Sequence, residues 1–298
     1  MYHYVRDGAR IHARTPAEFE AQLDYIQANF TVVKCEAVRT RQVPDNACLL
    51  TFDDGLREHL ETVAPALEER GLRGVFCPPA KPVLERTVLD VQKTQFLLAN
   101  VDDHAHLGRQ IVELAGVEDE RGFRADNTPP HRFDAPETVF VKRALQDGLP
   151  EGRRRPILDA LFAEHVTGDE RAFAEELYLT LEECRRLVQR GHEVIGHGYE
   201  HRRLGLLDED AQRVEIERTK EFVELVGGEW SLCYPYGSRN GTTLRLLSES
   251  GCALGLTTDV GLAGPDAPLL ELPRIDTNDL PFQVVEGARV DGPVAETP

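Results

Sequence analysis

Along the chain, short apolar runs alternate with longer stretches in which apolar residues recur every three or four positions. The first pattern predicts buried strands and the second predicts helices packed against them. MYHYV (1–5), CLLTF (48–52), GVFC (74–77), HEVIG (192–196), SLCY (231–234), ALGLTT (253–258) and LELPRI (270–275) read as strands. TPAEFEAQLDYIQANF (15–30) reads as a helix, with Thr15 as N-cap, Pro16 in the first turn and Glu18 closing a capping box. LREHLETVAPALEERG (56–71) ends on a glycine stop, and TLEECRRLVQRG (180–191) has both a capping box and a glycine stop. Two further helices follow, DEDAQRVEIERTKEFVELVG (208–227) and TTLRLLSESG (242–251). This strand–helix–strand rhythm predicts an α/β fold with parallel strands.

The rhythm breaks between Lys81 and about Leu179. Helical patches such as VQKTQFLLANV alternate there with the Pro-rich loop NTPPHRFDAPE. Apolar periodicity persists through the interval and its complexity is not low, so it predicts a largely helical insertion packed on one domain spanning 1–298.

Composition narrows the partners. With 52 acidic and 34 basic residues the formal charge is −18, which disfavours nucleic acid and anionic membrane surfaces. Cys35, Cys48, Cys77, Cys184, Cys233 and Cys252 show no CxxC spacing and predict free thiols in a reducing compartment. No apolar window is long enough to span a bilayer and the N-terminus lacks an apolar leader segment, so the expected location is cytoplasmic.

Three strand ends carry potential chemistry. CLLTFDDG places adjacent carboxylates, Asp53 and Asp54, after a buried run. Neighbouring side chains on a strand face opposite ways, so the two acids share one site only if the chain turns there. GHEVIGHGYEH offers His197 and His201 at H-x-x-x-H spacing. On a helical turn that spacing puts their Cβ atoms about 5–6 Å apart, close enough to share a metal. One Asp with two His leaves a coordination position open, as catalytic zinc sites do, and the second Asp is then free to act as general base. LCYPYGSRN (232–240) predicts a stiff turn whose backbone N–H could face a developing oxyanion; the same residues could equally just cover the strand ends.

Taken together and in this order, TFDDG, HGYEH and YPYG resemble the polysaccharide deacetylases of the NodB-homology type, carbohydrate esterase family 4. The resemblance covers residues 1–77 and 180–276. It implies a distorted (β/α) barrel, one divalent metal, usually Zn²⁺ with Co²⁺, Ni²⁺ or Fe²⁺ as alternatives, and hydrolysis of an acyl group on a sugar. It further implies Asp54, His197 and His201 as metal ligands, Asp53 as base and the Tyr236 backbone amide as oxyanion donor, with Tyr234, Pro235 and Gly237 beside the substrate.

The chain also departs from the family pattern. Gly198 stands where Ser or Thr commonly follows the first metal histidine. No arginine lies two residues before the Pro-Tyr-Gly turn, since Cys233 and Tyr234 precede Pro235. Arg274 could orient the base from the last strand, or could pair with Asp276 or Asp279. The late histidine that serves the family as general acid is missing from LLELPRIDTNDLP. Either Asp53 serves both proton transfers or another residue supplies the acid: His3 and the VDDHAH pair, His104 and His106, are the candidates, with His131 and His165 also available and His192 read as structural. VDDHAH admits a second-metal reading as well.

The expected function is hydrolysis of an N-acyl (acetyl or formyl) group of an amino sugar. The substrate would be an N-acylated sugar, sugar nucleotide or lipid-linked saccharide of surface polysaccharide synthesis. The alternatives are a non-catalytic saccharide-binding protein on the same barrel and a hydrolase of non-sugar C–N bonds.

Overall fold

The computed structural model describes residues 1–8, 10–130 and 134–281. Its strands are β1 Thr31–Val32, β2 Ala47–Cys48, β3 Thr51–Asp53, β4 Val75–Cys77, β5 Glu193–Val194, β6 Leu232–Cys233, β7 Gly255–Val260 and β8 Leu272–Arg274. The first half of the chain holds helices α1 Pro16–Asn29, α2 Cys35–Arg39, α3 Ala64–Glu69, α4 Ala80–Glu85, α5 Asp90–Asn100, α6 His104–Ala115 and α7 Glu120–Asp126. Helices α8 Pro136–Arg143, α9 Glu151–His165, α10 Glu170–Leu177, α11 Leu181–Gln189, α12 Glu209–Val226 and α13 Gly241–Glu249 follow.

The helix signals in the sequence act as expected. The Thr15–Glu18 and Thr180–Glu183 capping boxes both form, so the first-turn N–H groups of α1 and α11 are satisfied locally. Phe19, Leu23 and Ile26 then bury one face of α1. Helix 56–71 differs: it opens with a π-turn over His59–Val63 before α3. Pro65 has no N–H for the ordinary ladder, and the wider turn accommodates the gap.

The strands are shorter than the apolar runs. CLLTF splits into β2, which pairs with β1, and β3; MYHYV contributes only isolated bridges, at Tyr2 to Phe52 and Val5 to Arg14. The expected barrel does not form as one closed sheet among the described residues. Two parallel three-stranded sheets form instead, β3-β4-β5 and β6-β7-β8. Apart from β7 these strands are two or three residues long, which leaves too few ladder bonds to merge the sheets. Single contacts link their edges: the Gly196–Leu232 bridge between the sheets, the Tyr2–Phe52 bridge on β3, and the Met1 nitrogen donating to the Ile275 carbonyl (2.7 Å) past β8.

All pairings within the two sheets are parallel, so β3 to β8 end on one side. Phe52 anchors that arrangement, stacked between Tyr2 and Phe76 with ring centroids 5.2 and 5.0 Å away. In the interval 81–179, α5 to α9 fold around their own apolar cluster, which includes Leu97, Ile111, Phe140, Leu145, Leu158 and Leu161, while α10 packs through Ala174 and Leu177 in a cluster with Tyr4 and Leu56. It is tied to the strand ends by Arg57 N–H to Leu177 O and Leu179 N–H to Gly55 O, both 2.9 Å. No helix among the described residues is long and apolar enough to cross a membrane.

Candidate metal centre and active site

The chain turns between the two acids. Strand β3 ends at Asp53, and Asp54 and Gly55 follow with φ of 74° and 62°. Glycine is required at 55 on two counts, the left-handed backbone and a Cβ that would lie 2.6 Å from Pro78 Cβ. Asp53 therefore points with its strand while Asp54 swings out of it, and each faces different partners.

Asp53 is fully enclosed and held by Arg274, which donates Nη1 to Oδ1 and Nη2 to Oδ2 at 2.9 Å each. The guanidinium is itself fixed by Thr51 Oγ1 (3.2 Å) and the Thr257 carbonyl (2.6 Å). Burial alone would raise the Asp53 pKa. The Arg274 charge, followed by His197 and His3, outweighs it and holds the carboxyl well below the usual range. Asp276 caps the N–H of Asn278 and is not the partner of Arg274.

Asp54 faces the histidines. Its Oδ1 lies 3.5 Å from His197 Nε2 and 3.6 Å from His201 Nε2, and the two Nε2 atoms are 3.2 Å apart. Burial raises the Asp54 pKa, but His197 at 3.5 Å, followed by His3 and His201, pulls it down to about 2. His201 is pushed down to about 3 by burial and by His197 beside it.

The histidine segment is not helical. Gly198 (φ 72°) and His201 (φ 56°) make it a bend, corrected here from the helical turn suggested by the spacing. Glu215 of α12 enforces the bend: its Oε2 accepts from Tyr199 N–H (3.0 Å) and Glu200 N–H (3.1 Å). The departure at Gly198 has a physical reason, since a Cβ there would sit in a left-handed backbone and 3.0 Å from Pro235 Cγ. Correspondingly, His201 Nδ1 has no hydrogen-bond partner among the described residues. His197 Nδ1 donates to the Cys233 carbonyl at 2.8 Å, which leaves its Nε2 as the free lone pair.

These residues fit a metal. Three donor atoms separated by 3.2–3.6 Å match the edges of a tetrahedron with ligand bonds of about 2.0–2.1 Å. Asp54 Oδ1 is a buried acceptor with no hydrogen-bond partner among the described residues, a costly state that a cation would relieve. One other described group could gather donors, Asp53 with Cys77 and Cys233, but Arg274 already occupies both Asp53 oxygens. VDDHAH forms no such group: Asp103 caps α6 by accepting from His106 N–H, and His104 bonds Thr138 and the Leu98 carbonyl.

The site opens into a cavity of about 660 Å³. Asp53, Asp54, His197, His201 and Tyr236 line its base, and Gln95, Leu98 and Lys142 of the insertion form part of its wall. His3 is half exposed in it, its Nε2 4.0 Å from Asp53 Oδ2. Tyr236 has φ 57°, meets His201 edge-on with ring centroids 4.8 Å apart and carries the Arg203 guanidinium 3.8 Å from its ring centroid. Tyr234 reaches the cavity but donates its hydroxyl to the Leu270 carbonyl (2.7 Å). Pro235 and Gly237, expected beside the substrate, are not on the wall; they pack against Gly198 and Thr258 and shape the turn. His192 bonds Glu68 (3.0 Å) and the Gly74 N–H (3.1 Å), and His165 bonds Gln110, both away from the cavity. His131 lies outside the described residues.

Sequence reading missed Gln92 and Glu215, whose polar ends meet the site from helices that look like ordinary amphipathic segments. Only the fold reveals that they are buried, Gln92 at 0 % and Glu215 at 4 % exposure.

The model of the polysaccharide deacetylase family matches residues 147–255, which takes in HGYEH and YPYG but not TFDDG. YxkH of Bacillus subtilis (strain 168), which carries a polysaccharide deacetylase name, is 27% identical over 100 residues, 33% of this chain and 36% of its own length. The chain thus matches about a third of that relative. Among solved structures, the Streptococcus pyogenes deacetylase PplD in complex with acetate is similar with TM-score 0.56 and 16% identity, over 92% of this chain and 89% of that one. IcaB from Ammonifex degensii gives TM-score 0.55 and 18% identity over 93% and 91%. A de-N-acetylase from Aggregatibacter actinomycetemcomitans gives 0.52 and 12% over 92% of both chains. At such identities the structures speak to the fold, which is that of solved deacetylases, and residues 147–255 are similar in sequence to the polysaccharide deacetylase family.

Proposed function

We propose that this chain is a metal-dependent hydrolase that removes an N-acyl group, acetyl or formyl, from an amino sugar. The observation that carries the reading is the pairing of two neighbouring carboxylates with different partners at one cavity base, Asp54 with His197 and His201, Asp53 with Arg274.

Asp54, His197 and His201 would hold one divalent cation, Zn²⁺ by the donor set. When bound, the cation supplies Lewis acidity toward water and the acyl carbonyl. The chain's own groups do the rest. Asp53, kept ionised by Arg274, accepts a proton from the attacking water. The Tyr236 N–H donates to the oxygen on which negative charge develops. As the C–N bond breaks and the acyl carbon keeps the water's oxygen, the amine nitrogen must gain a proton. His3, 4.0 Å from Asp53, is the side chain we assign to return it.

On this reading the contacts that link the two sheets and Met1 to Ile275 are the seams of a distorted (β/α) barrel. The insertion covers its mouth and admits a small or terminal sugar, such as a sugar nucleotide or lipid-linked saccharide of surface polysaccharide synthesis. Six free thiols suit a cytoplasmic setting for that step.

The test is elemental analysis of the purified protein followed by amine release across a panel of N-acetyl and N-formyl sugars. Bound metal and released amine are expected. Absence of both would overturn the proposal in favour of a saccharide-binding protein, and release only from non-sugar amides would move the activity to other C–N bonds.

A further inference from the structure

The two oxygens of Asp54 are not equivalent. Oδ1 faces the imidazoles, while Oδ2 accepts a hydrogen bond of 2.8 Å from Gln92 Nε2. Gln92 comes from α5, inside the insertion, and is completely buried. Its other end is also held: Tyr178 donates its hydroxyl to Gln92 Oε1 (3.2 Å), and the Tyr178 oxygen in turn accepts from the Leu89 N–H (3.2 Å). Tyr178 is completely buried as well.

This chain of bonds fixes the direction of the amide. A carboxylate oxygen accepts only, so the NH₂ end of Gln92 must face Asp54 and the carbonyl end must face a donor. Tyr178 can be that donor because its own lone pair is already used by Leu89. With Oδ2 engaged, Asp54 can present one oxygen toward His197 and His201, and its rotation toward a two-oxygen grip would break a buried hydrogen bond.

We infer that Gln92 is a positioning residue of the metal centre: it holds Asp54 as a one-oxygen ligand, and through it the insertion is a working part of the site as well as a wall of the cavity. This rests on the reading of Asp54, His197 and His201 as the ligand set. The expected consequence of losing the Gln92 donor is a metal affinity lower by about 10–100-fold and a changed coordination number.

The experiment uses the full chain and Co²⁺, with affinity from equilibrium dialysis and geometry from the visible absorption of the bound ion. Wild type, Asp54→Ala and Gln92→Leu are compared at a temperature where circular dichroism reports all of them folded. Gln92→Leu keeps the volume and removes the donor. Weaker binding by Gln92→Leu together with an altered Co²⁺ band supports the inference. Wild-type affinity and an unchanged band in Gln92→Leu overturn it while leaving the ligand set standing. Failure of wild type to bind Co²⁺, or equal binding by Asp54→Ala, overturns the ligand reading and this inference with it. Should Gln92→Leu not fold, Gln92→Asn, whose amide stops one methylene short of Asp54, is measured in the same way and judged by the same outcomes.

Discussion

Arg274 grips both oxygens of Asp53 in a two-point fork, joining the end of the last strand to the end of β3 across the cavity base. Both charges are buried, Asp53 at 2 % and Arg274 at 7 % exposure. The pair therefore stands or falls as a unit: removing one partner leaves a buried charge without compensation. Arg274→Met should lower stability by about 3–5 kcal/mol, measured by urea unfolding. The double variant Asp53→Asn with Arg274→Met should regain part of the loss. A wild-type unfolding midpoint for Arg274→Met would show that the fork contributes nothing.

The two acids should separate by assay. Asp53→Asn preserves the shape of the side chain but cannot accept the proton, so turnover should fall by about 10²–10⁴-fold with metal content unchanged after dialysis. His201→Ala should lose metal and turnover together. Full activity in Asp53→Asn would remove Asp53 from the role of base.

Gly55 is the pivot that lets adjacent residues serve different partners. Gly55→Ala would force a methyl group against Pro78 in a backbone conformation that disfavours any Cβ. The expected loss of stability is about 1–3 kcal/mol, read from thermal or urea unfolding, with metal binding weakened because Asp54 moves with the turn. Gly116→Ala, also at positive φ but with open space around it, is the control for backbone strain alone.

His192 makes a pH-dependent contribution on the far side of the first sheet. Burial lowers its pKa, and Glu68 only partly offsets this. The Gly74 N–H donates to Nδ1, so the folded form keeps the ring neutral. The unfolded chain takes up the proton near pH ~6.5, and the folded chain does so only at lower pH. The stability His192 contributes is thus complete above that pH and is lost as pH falls through the window below it. The stability gap between wild type and His192→Gln should narrow from about pH 7.5 to about pH 5.5. A gap that stays constant across those pH values would contradict the neutral, buried ring.

Much of this was legible in residue order because the signals are local. A capping box acts within one turn, which is why Thr15–Glu18 and Thr180–Glu183 could be read directly. The acid pair, the histidine pair and the YPYG turn each follow an apolar run, and parallel strands bring such endings to one side. The H-x-x-x-H spacing misled as to conformation, because the bend depends on Glu215 of α12, a residue with no local mark of its role. The alternation of strands and helices was legible as a rhythm but the ladders were not, since strand length is set by how far neighbouring backbones remain in register.

Sequence alone determined which residues could do chemistry here: Asp53 and Asp54 before a glycine, two histidines four apart, and an arginine on the final strand. Those are properties of side-chain type and short spacing, and they survive without coordinates. Tertiary structure decided which partner each one takes. Arg274 reaches Asp53 across 221 positions, and Gln92 reaches Asp54 from an insertion whose sequence resembles packing material. Buried charges and amides must be satisfied by whatever the fold brings within about 3 Å, and that proximity is a property of the folded chain that no spacing in the sequence encodes.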